Sequence, residues 1–308
     1  MSPAGLVSRP GQPLVSVVVP SYNNGAFIRE TMMSILSQTY RNLEVIVSDH
    51  GSTDDTWLEL QPFALDSRVR LIRISPSDRV ADNWASATGA ATGDYLKLVC
   101  GDDLLASDCV ERQVAALEAS PSAVLVASRR DVITAQGDPV IRGWGLTNLV
   151  GSFDGRLAVK AAVKSGTNPF GEPACVLMCR ATLERVGGWD DRYPYVIDQH
   201  TYSKMLMHGS FVGLRDSLAG FRLSEQQWSV ALAGQQYRQV VGFHEQIAGL
   251  AGGCITVADR LEGRLRARVL SVARRVAHKA LTRKLRTPSP SLPRPLVTAG
   301  TAAVGRSD

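Results

Sequence analysis

The chain has 308 residues, is 44% apolar and carries a formal net charge of +5. That length suits one large α/β domain with additions, or two domains, and no run of about 18 uninterrupted apolar residues exists to form a spanning helix. The five cysteines are odd in number and lack CxxC spacing, a pattern that reads as buried free thiols in a reducing cytoplasm.

Residues 1–12 hold one Arg and no apolar h-region, so they read as a flexible N-terminus and not as a secretion signal. A buried apolar run at 15–19 then ends at Pro20-Ser21-Tyr22-Asn23-Asn24-Gly25, and a second at 43–47 ends at Ser48-Asp49-His50-Gly51-Ser52. Further strands are predicted at 69–74, 95–99 and 123–127, and helices at 26–37, 54–65, 80–88 and 108–119. Ser52 and Asp54 signal the start of the second helix, and Ser107 with Glu111 the start of the fourth. This alternation implies a mostly parallel sheet with helices on both faces and a ligand crevice at the strands' carboxyl ends.

From Gly143 to Arg192 the chain is rich in Gly, Pro and Trp and reads as a long excursion covering a site, with one apolar strand at 174–178. A helix at 198–208, a strand-like run at 211–223 and helices at 240–250 and 255–286 follow. In the last helix Leu261, Leu265, Val269 and Val272 recur at helical spacing among arginines. The charge is uneven: twelve Lys/Arg face two acids from Arg260 onward, against 22 basic and 27 acidic residues before it. A basic amphipathic helix suits an anionic membrane surface, and docking on its own domain is the other reading. Residues 287–308, with four prolines and no periodicity, read as a disordered tail.

The blocks PSYNNG, SILSQTYRNLEVIVSDHGSTDDT, ATGDYLKLVCGDD, ERVGGWDD and VIDQH, in that order, resemble family 2 glycosyltransferases of the GT-A fold. The resemblance covers residues 14–229. It implies a Rossmann-like, mostly parallel sheet flanked by helices. On that resemblance residues 13–229 are expected to form a glycosyltransferase domain (13–128 the nucleotide-sugar half, 129–229 the acceptor half), and 230–286 a C-terminal helical extension. It also implies transfer of a sugar from a nucleotide-sugar donor to a glycan or lipid-linked acceptor, with inversion, assisted by Mn²⁺ or Mg²⁺, by a cytoplasmic protein of bacterial surface polysaccharide assembly.

The resemblance assigns roles residue by residue. Asp102 takes the metal position of the Asp-x-Asp motif, Cys100 replaces its first Asp, and Asp103 adds a second carboxylate. Adjacent acids after a strand can also simply turn the chain. Pro20, Tyr22, Asn23, Asp49, His50 and Gly101 border the nucleotide-sugar, with Arg79 and Asn83 near the diphosphate. His50 replaces an acid, and since imidazole accepts one hydrogen bond and donates another, uracil is compatible without being implied. Asp198 takes the base position, where the apolar neighbour Ile197 raises its pKa by desolvation, and it can also cap its helix. Glu172, Trp189 and Asp190 border the acceptor; Trp189 either stacks on a sugar or fills the core. Ser224 stands where many relatives carry His. A catalytically drifted nucleotide-sugar-binding protein of the same fold is the alternative. Absence of GxGxxG after the first strand argues against a dinucleotide-dependent oxidoreductase. The acidic body, without an aromatic-basic platform, argues against nucleic acid.

Overall fold

The computed structural model describes residues 12–77, 79–223 and 234–286, with side chains to residue 273. The expectations for residues 1–11, Ser224 and the tail from 287 therefore lie outside the described residues. β1 (Val15–Ser21) is buried at all seven positions and runs parallel to β2 (Leu43–Asp49) on one side and β4 (Tyr95–Leu98) on the other. A strand flanked by strands and covered on both faces has no solvent side, so Val17, Val18 and Val19 follow one another without alternation, and the buried Ser16 donates to Glu44. β3 (Val69–Arg73) extends the parallel set beyond β2. The crossover helices are α1 (Ile28–Leu36), α2 (Thr56–Leu60) with a 3-10 turn to Leu65, and α3 (Val80–Gly89). α1 buries Ile28, Thr31, Met32 and Ile35, one stripe of a 3.6-residue period. The order β3-β2-β1-β4 changes direction between β1 and β4, which opens a crevice at their carboxyl ends.

Beyond β4 the sheet is mixed. β9 (Val176–Cys179) lies antiparallel between β4 and β6 (Ala123–Ile133), and β10 (Ser210–Arg222) runs parallel to β6 on its other side. β5 (Leu104–Leu105) and β8 (Gly151–Phe153) pair antiparallel with β10, and β7 (Pro139–Trp144) closes a hairpin on β6. Lys97 of β4 is fully buried and spends its ammonium on Gln113 Oε1 (2.9 Å), Ala174 O (2.6 Å) and Val176 O (3.3 Å). All three donors are satisfied, so a charge inside the core holds the turn before β9.

The remaining helices are α4 (Cys109–Glu118), α5 (Gly155–Ser165), α6 (Arg180–Arg185), α7 (Ile197–Met205), α8 (Gln236–Leu250) and α9 (Val257–Arg286). The Gly143–Arg192 excursion is thus more ordered than its composition indicates. α5 starts where Asp154 accepts from the amides of Arg156 and Leu157 and stops at Gly166, φ 65. The strand expected at 174–178 begins with a 3-10 turn at Pro173–Cys175, the helix expected to reach residue 208 ends at Met205, and the one expected from 240 starts at Gln236. Met1–Ser271 form one compact unit; Val272–Asp308 form a second, whose described part is the helical run to Arg286.

Candidate functional site

Three loops follow the carboxyl ends of β1, β2 and β4. The first two are stitched together: Asn23, at φ 51, accepts the Thr53 amide on Oδ1 at 2.9 Å, and the Asn24 amide donates to Thr56 Oγ1 at 2.7 Å. Gly101 lets the third loop join them, since a Cβ there would lie 2.6 Å from Asn24 Oδ1 and 2.9 Å from Ser21 Oγ. Pro20 is a buried strand residue paired with Ser48. Tyr22 is 54% exposed and meets His50 edge-on at 6.2 Å between ring centroids. His50 is nearly buried, and its Nε2 accepts the Ser77 amide at 2.9 Å, so a neutral ring carries its proton on Nδ1.

Several expected contacts are already taken. Asp49 has no exposed surface. Its carboxylate accepts from the Ser52 amide and hydroxyl and pairs with Arg73 Nε at 3.1 Å, so it shapes the loop and does not lie open to a ligand. Asn23 is likewise occupied as a fastener. Arg79, at the start of α3, pairs with Asp191 at 2.8 Å, which raises its already high pKa further. Asn83 is buried with Nδ2 on Ser21 O at 3.2 Å, and among the described residues its Oδ1 has no hydrogen-bond partner. An unmatched buried acceptor beside the crevice calls for a donor from outside the protein.

The acidic pair is split in orientation. Asp103 Oδ1 accepts the Arg222 amide at 3.2 Å, and burial, with the Asp102 charge added, raises its pKa well above the usual range despite that bond. Asp102 is 8% exposed, and its carbonyl oxygen accepts from Arg222 Nε at 2.9 Å. Arg222, fully buried at the end of β10, also reaches Ala135 O (2.6 Å), Thr134 O (3.3 Å) and Glu30 (2.8 Å), and lies over Phe27 at 4.8 Å. Sequence reasoning gave it no role. Its signal was only the position beside the Ser224 site.

Asp198 lies in the first turn of α7, with Oδ2 on Asn168 Nδ2 at 2.9 Å and Oδ1 on the Gln199 amide at 2.7 Å. Burial pushes its pKa up to about 7, with the Glu172 charge adding and those hydrogen bonds opposing. Glu172 forms a two-point ion pair with the buried Arg130. Burial, and then the charges of Asp103, Asp102, Asp198 and Glu172, push the Cys100 thiol well up. Four carboxylates from three separate chain segments therefore converge on one corner.

Trp189 and Asp190 are engaged within the protein. Trp189 is buried, its indole N–H on Thr88 Oγ1 at 2.9 Å and its ring packed edge-on against Trp84 at 4.9 Å. Asp190 pairs with Lys204 at 3.3 Å and accepts the Arg192 amide; these favourable contacts outweigh burial and lower its pKa. Of the two readings for Trp189, the structure gives the core.

As to a metal, the donor set is lean: a neutral thiol at Cys100, Asp103 turned to an amide, and Asp102 at the crevice. Among the described residues no group of three or more His, Cys, Asp or Glu is placed to hold an ion. One carboxylate fits a cation whose other ligands are substrate phosphates and water, the usual arrangement for Mg²⁺.

An open α/β sheet with loop-borne carboxylates at its switch point defines the class of α/β proteins that bind a ligand there, and comparison gives the family. The profile of "Glycosyl transferase family 2" matches residues 16–187, so the chain belongs to that family. An uncharacterized glycosyltransferase of Haemophilus influenzae is 26% identical over 70% of this chain and 68% of its own length. The Escherichia coli UDP-Glc:alpha-D-GlcNAc-diphosphoundecaprenol beta-1,3-glucosyltransferase WfaP is 34% identical, over 34% of this chain and 41% of its own. Among solved structures, the mannosyltransferase PcManGT from Pyrobaculum calidifontis, in complex with GDP-Man and Mn²⁺, aligns with TM-score 0.61 at 20% identity. That alignment covers 91% of this chain and 82% of that one, and the shared fold is GT-A.

Proposed function

We propose that the chain transfers a glycosyl group from a nucleoside-diphosphate sugar to an acceptor hydroxyl, with inversion at the anomeric carbon. The observation that carries this is Asp198, a carboxyl whose pKa of about 7 suits a general base, set in the same corner as Asp102 and Glu172. Tyr22 and His50 border the nucleoside on a loop that Asp49 holds in shape, and Asn83 Oδ1 accepts from a donor hydroxyl. The acceptor oxygen attacks the anomeric carbon from the face opposite the diphosphate. Its proton passes to Asp198, which Asn168 keeps oriented, while the carbon–oxygen bond to the diphosphate breaks and nucleoside diphosphate leaves with the electron pair. Asp102 would hold Mn²⁺ or Mg²⁺ against the diphosphate, where the cation neutralises the developing charge.

Turnover measured with UDP- and GDP-sugars and Mn²⁺ tests this. Asp198→Asn should abolish release of nucleoside diphosphate while donor still raises the melting temperature, and Asp102→Ala should weaken that donor-dependent rise. A wild-type chain that binds donor and never releases nucleoside diphosphate is instead a drifted sugar-nucleotide-binding protein, the reading favoured by a neutral thiol at Cys100.

The E. coli relative's name specifies a diphosphoundecaprenol-linked acceptor, and a lipid-linked or polysaccharide glycan is the acceptor class carried over here. Among the described residues no helix is long and apolar enough to cross a membrane. α9 nevertheless faces both ways. Its small residues Gly263, Ala267 and Ser271 are buried, Gly263 against Val163 of α5, while Val257, Leu261, Leu265 and Val269 are 61%, 55%, 67% and 59% exposed. Up to Ser271 the helix thus docks through its small side and leaves its large apolar side open. A second copy is a poor cover, since twelve Lys/Arg against two acids from Arg260 onward repel their like. Anionic headgroups match that charge, each nearby cation adding about 1 kcal/mol, so the occupant is the inner face of the plasma membrane.

A further inference from the structure

Trp144 ends β7 at the hairpin with β6 and is 46% exposed, although a tryptophan ring normally spends its area in a core. Its cross-strand partner is Arg130, whose guanidinium lies 4.9 Å from the ring centroid. That guanidinium is 4% exposed as a residue and grips Glu172 at two points. Its place is made by the backbone: at Gly145, φ 108, a Cβ would lie 2.7 Å from Arg130 Nη1, and at Gly171, φ 90, 3.2 Å. Trp144, Arg130 and Glu172 therefore form one fixed stack, leading from an exposed ring to a carboxylate whose charge acts on Asp198.

We infer that Trp144 is a sugar-binding platform: the apolar C–H face of the acceptor's pyranose ring lies on the exposed indole, with Glu172 within reach of its hydroxyls. A preorganised ring with two torsions loses little entropy on binding, and the buried cation behind it prevents it from folding away. The acceptor, not the donor, is the ligand for a topological reason. Tyr22 and His50 lie at the ends of β1 and β2, whereas β7 hangs on β6, on the far side of β4 and β9. This inference rests on the transferase reading and adds the recognised group.

The test uses the full chain labelled with ¹⁵N, in which the five tryptophans give resolvable indole N–H signals. Trp144→Phe assigns the Trp144 signal. Methyl glycosides of glucose, galactose, mannose, N-acetylglucosamine and rhamnose are then titrated in the presence of UDP and Mg²⁺. The expected result is a saturable shift of the Trp144 signal with at least one glycoside, weakened about 10-fold in Trp144→Ala as measured on the remaining signals. A Trp144 signal that no glycoside moves overturns the inference, as does a Trp144→Ala chain that binds the same glycoside equally well. Failure of UDP itself to move any signal would count against the transferase reading instead.

Discussion

Arg222 Nε donates to the main-chain oxygen of Asp102 at 2.9 Å, while the Arg222 amide donates to Asp103 Oδ1 at 3.2 Å. The end of β10 thus fixes both members of the acidic pair, one through its backbone and one through its side chain. Of the same guanidinium, Nη1 serves the Thr134 and Ala135 carbonyls and Nη2 serves Glu30, so with Nε its three nitrogens cover separate directions that a single ammonium cannot. We expect Arg222→Lys to lower stability by about 1–3 kcal/mol, since the Asp102 carbonyl oxygen loses the donor that Nε supplies. Urea denaturation reads that loss. Donor affinity in Mn²⁺ should fall as well; full retention of donor affinity would show that Asp102 keeps its place without the fork.

Asp198 gives opposite pH slopes to activity and stability. As a base it must be ionised, so kcat/KM should rise with pH and level off above about 7, where its proton is lost. An unfolded Asp titrates near about 3.9, so between that value and about 7 the folded chain holds a proton that the unfolded chain has released. Stability is fully present below this window and declines as pH rises through it. Asp198→Asn carries no such charge. Melting temperatures should therefore favour the variant at pH 8 and converge with wild type near pH 4; equal melting temperatures at both would deny the carboxyl its raised pKa.

What the sequence revealed follows from which forces are local. β1 and β2 are legible because a strand buried on both faces is apolar along most of its length, while the roles of Asp102 and Asp198, carried by continuous motif blocks, belong to the proposed function. The cap residues of α5, Asp154 and Gly166, were present in the sequence yet masked by a surrounding excess of Gly, Pro and Trp. Lys97 and Arg222 were opaque for another reason. Their partners are main-chain carbonyls far away in sequence, and nothing in a residue's type announces that the backbone will satisfy it. Motif position points Asp49 to a ligand and leaves Trp189 open between a sugar and the core; Arg73, Trp84 and Thr88, supplied by tertiary structure, are the partners the two side chains have.

His244 of α8 is fully buried, and neither ring nitrogen has a hydrogen-bond partner among the described residues. Burial lowers its pKa to about 4; Glu245 opposes the change and Arg264 adds to it. An unfolded His titrates near about 6.5, so from there down to about 4 the unfolded chain takes up a proton that the folded chain refuses. This residue makes stability fall as pH falls, opposite in sign to Asp198 over nearly the same window. In an Asp198→Asn background this slope is shared with the buried His200, whose pKa burial also lowers, and His244→Leu should reduce it. A slope unchanged by His244→Leu would place the acid sensitivity elsewhere.

The open side of α9 offers a last test, one that spares the fold. Leu261 and Leu265 are more than half exposed, so Leu261→Asn with Leu265→Asn should leave the melting temperature unchanged. On phosphatidylglycerol vesicles the double variant should lose at least 10-fold in partitioning, since burying a leucine in the interface is worth about 1.5–3 kcal/mol. Wild-type binding should weaken with added salt, because Debye screening shortens to about 3 Å at 1 M, and it should be weak on phosphatidylcholine at any salt. Salt-sensitive binding that survives the double substitution would mean that charge alone carries the contact. If wild type instead ignores both vesicles and elutes as a dimer that the substitutions dissociate, the apolar face belongs to a second copy, and like-charge repulsion has been overestimated.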